Sequence, residues 1–399
     1  MLIMWDHGGG SLTGFGYDQY FQRDSMTLDE LSTALRDGGC RFDFIGFDAC
    51  LMGTFETAVV LEPYADYMIA SEEVEPGVGW YYNGWITALS QNTSISTTKL
   101  GKILIDDYVK EVAEKVPEAQ ATLSMVDLAE FKGTIPPAFS RFSSSTNELL
   151  DEEKYKTVAD ARSGAKEFSP SNAINQIDLI HFAENIDTKE ARALVNSLKE
   201  CIKYNRTTAN ITNANGLSIF FPYNRMSLSA PILEIYDEIG MDDQYTRCIR
   251  SFASVVAGGQ VVSSGSNNLL DSLLGTFIGG NSGSGSNNTP SGGDIISQLL
   301  HDFLDNGNFS NLTGLLGGST DWLDEEKVKD SVQYYKENVF DATALTITEK
   351  EGKKVLSLTE KQWDLVHHME MNVFVDDGQG FIDLGLDNLY EYNDDGDLI

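Results

Sequence analysis

Basic residues are scarce in this 399-residue chain: 28 Lys and Arg stand against 61 Asp and Glu, a formal net charge of −33. Such a polyanion repels a phosphate backbone, which excludes nucleic-acid binding. Its field favours basic peptides or divalent cations, and the same charge serves to keep an exported protein soluble. Cysteine and histidine are scarce too. Cys40, Cys50, Cys201 and Cys248 include no CxxC pair and only five histidines are present, so neither a disulfide scaffold nor a structural zinc site is expected. No run of about 18 apolar residues occurs, so no helical membrane span is expected. A basic leader is also missing. Met1 opens directly into an apolar strand, which predicts either a cytoplasmic protein or a chain without its natural start.

What is present is enough apolar sequence for a full core, at 41% of residues, and a length that suits two domains. Residues 2–5 and 42–47 are short apolar runs rich in strand formers, each ending in a polar turn. Between them, 27–36 has apolar residues at 28, 31 and 35. Thr27 with Glu30 forms a capping box, and Gly38-Gly39 closes the helix. That is a βαβ unit, with parallel strands and a right-handed crossover.

The alternation continues with helices expected at 53–63 and 97–115 and strands at 66–71 and 122–127. Helices fill most of 146–204, a strand follows at 217–221, and helices at 230–238 and 242–256 close the unit. The pattern makes an α/β sandwich over 1–257. Residues 258–293 shift to Gly, Ser and Asn and read as a linker, with one apolar stretch at 269–278. Residues 294–399 hold 23 acidic and 7 basic residues; strands expected at 328–335, 341–348, 353–359 and 370–375 make this a small β-rich domain. No internal repeat is evident.

Catalytic residues in open parallel sheets sit at the carboxyl ends of strands, which is where His7 and Cys50 fall. A thiolate nucleophile needs a nearby base and fixed donors for the oxyanion. Adjacent strand ends about 4.8 Å apart bring His7 and Cys50 within reach of each other. The small residues Gly8, Ala49 and Gly53 leave the backbone N–H groups of Gly8 and Cys50 free to meet a carbonyl oxygen. A helix beginning near Gly53 would favour the thiolate by its dipole. Spacing alone leaves the structural alternative open: a packed cysteine and a satisfied histidine.

The stretches Trp-Asp-His-Gly-Gly-Gly (5–10) and Phe-Asp-Ala-Cys-Leu-Met-Gly (47–53) resemble the two signature motifs of the clostripain family. Those proteins are secreted bacterial cysteine endopeptidases of the clan that holds caspases, legumains and gingipains. The likeness extends through 70–80 and 216–222 and covers most of 1–257. It implies a caspase-like three-layer sandwich with a mostly parallel sheet. By motif position it implies His7 as general base, Cys50 as nucleophile, Gly8 and Cys50 as the oxyanion hole, and Asp48 as an active-site acid. No cofactor is implied for catalysis.

Clostripain-like enzymes generally cleave after Arg or Lys, using an aspartate in a Pro-Gly-Asp-Gly-Trp pattern. Here the segment reads Pro76-Gly77-Val78-Gly79-Trp80. Valine cannot pair with a guanidinium, and an unpaired buried cation costs several kcal/mol. The expected S1 region is therefore Val78 with Glu75, Gly77 and Trp80, and P1 preference moves away from Arg and Lys unless Glu72, Glu73 or Glu75 supplies the charge. The family is commonly activated by autolysis between the histidine and the cysteine. Here 11–26 is a polar, Gly-containing loop suited to proteolysis, with Arg23 as its only basic residue.

Glu391, Asn393, Asp395 and Gly396 resemble the first half of an EF-hand loop, but no closing Glu follows and turn chemistry explains them better. Calcium dependence occurs in the family, so calcium is a candidate ligand. Cys40 is assigned to packing, and no cysteine is expected near His181, His301, His367 or His368. Family members usually carry two strands and a helix ahead of the His-bearing strand, and similar sequences continue past this C-terminus. The expectation is a fragment or a mis-called start. The reading is a cysteine endopeptidase acting on protein or peptide substrates, itself included, and secreted or at the bacterial cell surface by resemblance. Its rival is an inactive peptidase-like module that presents an acidic surface or the accessory domain to a partner.

Overall fold

The computed structural model describes residues 1–18, 20, 24–172, 174–223, 226–263, 322–338, 340, 345–350, 353–363, 365–366, 371–376 and 381–387. They form two compact units, Met1–Ser331 and Val332–Ile399. Within the first, β1 (Leu2–Trp5) leads through a one-turn helix α1 (Gly10–Thr13) into a hairpin of β2 (Phe15–Asp18) and β3 (Asp24–Met26). The expected 11–26 loop is thus partly ordered into a helical turn and a hairpin; Arg23 lies outside the described residues. Helix α2 (Leu28–Gly38) has the expected capping box at Thr27 and Glu30 and a left-handed Gly39 at its end. It crosses to β4 (Phe42–Asp48), then α3 (Phe55–Leu61) and β5 (Ala65–Ala70) follow.

Next come α4 (Tyr82–Gln91), α5 (Thr97–Lys115), β6 (Thr122–Asp127) and α6 (Leu128–Asp151). Asp127 caps α6 by accepting the Glu130 N–H at 3.0 Å. The apolar face of α6 (Phe131, Ile135, Phe139, Phe142) runs straight through Pro136 and Pro137. Then α7 (Tyr155–Gly164), β7 (Glu167–Phe168), β8 (Gln176–Asp178), α8 (Leu179–Ile186), α9 (Lys189–Cys201), β9 (Ile202–Thr207), β10 (Ser218–Phe220), α10 (Ser229–Ile239) and α11 (Asp243–Ser263) complete the order.

The main sheet runs β1-β4-β5-β6-β9. β1, β4 and β5 are parallel, β6 is antiparallel to β5, and β9 is antiparallel to β6, so four of five strands point one way. Alternate residues of β4 serve opposite faces. Phe44 packs with Ile69, Leu104, Tyr108 and Met125 under α4 and α5. On the same face Gly46 admits Trp80, whose ring would lie 2.7 Å from a β-carbon there. On the other face, Phe55 of α3 stacks on Phe139 of α6 at 4.2 Å. Helices on both faces give the expected α/β sandwich with a mostly parallel sheet.

Two details depart from expectation. The strand expected at 217–221 joins a separate sheet of order β10-β8-β7 instead of the main one. The strand expected at 328–335 is helical: α12 (Glu325–Glu337) buries Val328 and Val332, whose spacing of four suits a helix face. β1 is the sheet's edge strand among the described residues, with Trp5 76% exposed.

α11 continues to Ser263, past the expected domain limit at 257. Residues 322–331 belong to the first unit, with Asp324 N–H on Ser254 Oγ at 2.9 Å and Lys327 Nζ on Asp151 at 2.8 Å. The second unit holds two antiparallel hairpins, β11 (Thr346–Lys350) with β12 (Lys353–Ser357), and β13 (Met371–Asp376) with β14 (Phe381–Asp387). The expected linker core at 264–293, His301, His367, His368 and the calcium-like stretch 391–396 lie outside the described residues. No described helix is long and apolar enough to cross a membrane.

Candidate active site

In the parallel register of β1 and β4, Trp5 stands opposite Asp48. His7 and Cys50 each follow that matched pair by two residues. Both line a single cleft of about 420 Å³, whose wall also includes Trp5, Asp6, Asp48, Glu75 and Gly77. The strand ends therefore bring the expected nucleophile and base to one place.

His7 is exposed; its N–H donates to Asp6 Oδ1 at 2.5 Å and its ring meets Tyr17 edge-on at 6.3 Å. Cys50 Sγ accepts the Glu75 N–H at 3.3 Å and lies 3.8 Å from the Glu75 carbonyl oxygen. Among the described residues no hydrogen bond joins imidazole and thiol. Burial pushes the Cys50 thiol above its ordinary value; the Glu75 backbone opposes that and the Glu73 charge adds to it. The helix expected near Gly53 starts at Phe55, with its cap Thr54 accepting the Thr57 N–H at 2.9 Å.

The backbone around Cys50 is tightly fitted. A β-carbon on Gly8 would fall 2.0 Å from the Cys50 carbonyl oxygen, so only glycine allows the two segments to approach this closely. The Leu51 N–H donates to the Glu73 carbonyl at 3.2 Å and the Gly9 N–H to the Gly14 carbonyl at 2.8 Å. The N–H groups of Gly8 and Cys50 go to no backbone carbonyl among the described residues. Leu51 itself adopts a left-handed φ of 66°, which is unfavourable for a branched residue. Buried Gln176 holds it there, donating from Nε2 to the Leu51 carbonyl at 3.0 Å and to Ser218 Oγ at 2.8 Å. Neither Leu51 nor Gln176 was expected. Their partners lie 125 residues apart in the chain, and no local pattern joins them.

Below the thiol lie two carboxyl groups. Asp48 is buried and accepts the Trp80 backbone N–H at 3.2 Å and the Tyr82 hydroxyl at 2.8 Å. Glu75 accepts Trp80 Nε1–H at 3.3 Å. Burial first, and the Asp48 charge second, hold Glu75 well above the usual carboxylate range. Trp80 is buried behind the cleft and braces both acids. Val78 is 39% exposed and is not part of the cleft wall, whereas Gly77 and Gly79 are. Of the other acids in this loop, Glu72 accepts the Gly216 N–H and Glu73 the N–H groups of Val74 and Ser169, so both face inward.

The remaining cysteines are free. Cys40 is exposed at the end of the first crossover, which corrects its assignment to packing, and Cys201 and Cys248 are buried with thiols pushed up to about 12 by desolvation. His181 accepts the Lys166 N–H on Nδ1, a structural bond. No cluster of three or more His, Cys, Asp or Glu suited to a metal ion occurs among the described residues.

A family model described as the clostripain family matches residues 1–361. Among solved structures, the chain is similar to a secreted cysteine protease from Bacteroides thetaiotaomicron in complex with an irreversible peptide inhibitor, at 20% identity and TM-score 0.45, covering 59% of this chain and 71% of that one. It is similar to a clostripain from the same organism in complex with a peptide inhibitor, at 15% identity and TM-score 0.40, covering 59% and 97%. It is also similar to an inactive zymogen protease from Parabacteroides distasonis, at 19% identity and TM-score 0.39, covering 62% and 69%. No curated protein matches.

Proposed function

The chain belongs to the clostripain family of cysteine peptidases, and from that premise we propose that it hydrolyses internal peptide bonds through Cys50 and His7. The observation that carries the reading is the Trp5–Asp48 register, which sets both side chains on one cleft beside the Gly8 amide. His7 takes the thiol proton as Sγ attacks the scissile carbonyl carbon. The N–H groups of Gly8 and Cys50 hold the oxyanion. His7 then protonates the leaving amine as the C–N bond breaks, leaving a thioester on Cys50. A water, deprotonated by His7, hydrolyses the thioester and the thiol is restored. In the free chain Sγ rests against the Glu75 backbone and His7 faces Tyr17, so substrate must draw the two together.

Val78 brings no charge and stands outside the cleft wall, which supports a P1 preference moved away from the strong Arg and Lys selection of a family aspartate. Self-cleavage within 11–26 and export from a bacterial cell complete the proposal.

The test is labelling of Cys50 by a peptidyl acyloxymethyl ketone, with mass spectrometry to locate the adduct. The expected result is one adduct on Cys50, absent in Cys50→Ala and His7→Ala. Unchanged labelling in His7→Ala, or an adduct elsewhere, overturns the dyad. The raised thiol and the lack of a His7–Cys50 hydrogen bond favour the rival, an inactive binding module, which predicts no adduct at all.

A further inference from the structure

A general base is most effective when a third group orients its ring, and His7 stands on an exposed turn after β1. The acids of the cleft wall are engaged elsewhere. Asp6 Oδ1 accepts the backbone N–H of His7, Asp48 accepts the Trp80 N–H and the Tyr82 hydroxyl, and Glu75 accepts Trp80 Nε1–H. Among the described residues the imidazole makes no hydrogen bond, and the ring it meets is that of Tyr17, edge-on at 6.3 Å and 81°. The backbone brings Tyr17 there. Gly8 and Phe15 form an antiparallel bridge, and the Gly16 N–H donates to the His7 carbonyl at 2.8 Å. The chain thus leaves His7, turns through α1 and returns alongside it. Gly14 permits the tight return: at its φ of 72° a β-carbon would fall 2.0 Å from the Met26 carbonyl oxygen. Phe15 anchors β2 on Phe47 of β4, ring to ring at 5.7 Å, and two residues further along Tyr17 takes the His7 ring.

Resting on the peptidase reading above, we propose that Tyr17 is the positioning residue of His7. Its ring orients the imidazole by an edge-on contact, in the place where a carboxylate or amide would do so by a hydrogen bond. Tyr17 touches no reacting atom and acts through His7. An exposed histidine turns about two torsions, and only some of its rotamers aim a ring nitrogen at the thiol and then at the leaving amine. An aromatic pair of this geometry shifts such a population by up to about tenfold. The contact also leaves both ring nitrogens free of protein hydrogen bonds, so that Sγ, the leaving amine and water exchange protons with them in turn. Tyr17 is itself 44% exposed, so its ring adds little to the core and its effect falls on the base. The Gly16–His7 backbone bond ties the two residues together, so the ring follows the base through the reaction.

The test compares Tyr17→Ala with Tyr17→Phe in the full chain, on a peptide that the native chain cleaves. The expected result for Tyr17→Ala is a kcat lower by about tenfold with KM within about twofold of native, because the ring orients the base and leaves substrate binding alone. Tyr17→Phe keeps the ring and restores kcat to within about twofold of native. A second measurement needs no turnover. The His7 ring-proton resonances, identified by their loss in His7→Ala, should move in Tyr17→Ala, where the ring current is gone, and hold in Tyr17→Phe. Cys50 alkylation by iodoacetamide should keep its native rate in Tyr17→Ala, since it needs no base; a matching fall there assigns Tyr17 to the fold of the cleft and overturns the proposal. Native kcat in Tyr17→Ala, a loss that Tyr17→Phe does not recover, a raised KM at unchanged kcat, or His7 resonances indifferent to Tyr17 also overturn it. No cleavage by the native chain together with no ketone adduct on Cys50 overturns the peptidase reading, and the proposal falls with it.

Discussion

The α-carbon of Gly8 lies so close to the Cys50 carbonyl that a β-carbon there would fall 2.0 Å from the oxygen and 3.0 Å from the carbon. Both obstacles are backbone, so neither can rotate away. Gly8→Ala must separate the ends of β1 and β4 and withdraw the Gly8 N–H from the oxyanion position. Losing one such donor costs on the order of a hundredfold in kcat. The expected outcome is that loss or more, with secondary structure by circular dichroism unchanged. An alanine variant of native activity would show that the Gly8 amide is no part of the oxyanion hole.

Gln176 offers a milder test of the same turn. Its amide holds the Leu51 carbonyl while Leu51 keeps its left-handed φ, immediately after the nucleophile. Gln176→Ala removes that bond and the one to Ser218; Ser218 Oγ still donates to the Gly53 carbonyl, so the unmatched group is the Leu51 carbonyl, at a cost of about 1–3 kcal/mol of stability. Because the side chain is buried away from the cleft, KM should stay near its native value while kcat falls roughly tenfold as the turn relaxes. Equal changes in kcat and KM, or none in kcat, would assign Gln176 to packing alone.

The thiol sets the pH behaviour of the free enzyme. Burial favours neutral Cys50, and Glu73 adds a like charge, so the thiolate becomes abundant only above the ordinary thiol range. Alkylation by iodoacetamide should therefore climb with pH past the point where a free cysteine levels off. In Glu73→Gln the profile should move down, since Gln still accepts the Val74 and Ser169 N–H groups but carries no charge. A profile centred below a free thiol would mean that His7 already stabilises the thiolate.

The parts of this site that were legible in the sequence are those fixed by local pattern. Two apolar runs, a capped helix between them and a polar turn after each were enough to place His7 and Cys50 at neighbouring strand ends. Asp48 and Glu75 were named through the family resemblance, but their contacts needed the fold. Glu75 reaches Cys50 from the loop after β5, and only the structure shows that Val78, one turn later, points away while Glu75 stays. Gln176 was hidden by distance along the chain, and the α6 helix by Pro136-Pro137, which reads as a break although the apolar spacing continues across it. The start of β9 was absorbed into a helical stretch because none of its residues is buried and its exposed positions, Lys203 and Arg206, are three apart, which leaves no period of two to detect.

Buried acids away from the cleft make a last prediction, on stability. Glu72 lies in the interior beside Asp178; its Oε2 accepts the Gly216 N–H, while Asp178 accepts the His181 N–H and the Asn215 side chain. Burial first, and the Asp178 charge second, raise Glu72 well above the carboxylate range, and burial raises Asp178 as well. Glu56, under Tyr236 and the Phe220 N–H, is raised by burial too. A carboxyl that holds its proton more tightly folded than unfolded gives its full stabilisation below the unfolded value and loses it as pH climbs to the folded one. The melting temperature should therefore fall from mildly acidic to mildly alkaline pH. Glu72→Gln keeps an acceptor for Gly216 and gives Asp178 a permanent N–H donor. It should match the native chain at low pH and exceed it at high pH, by on the order of 1 kcal/mol or more, since each pH unit is worth about 1.4 kcal/mol per proton. Parallel melting curves for the two across the range would show that Glu72 is already ionised in the fold.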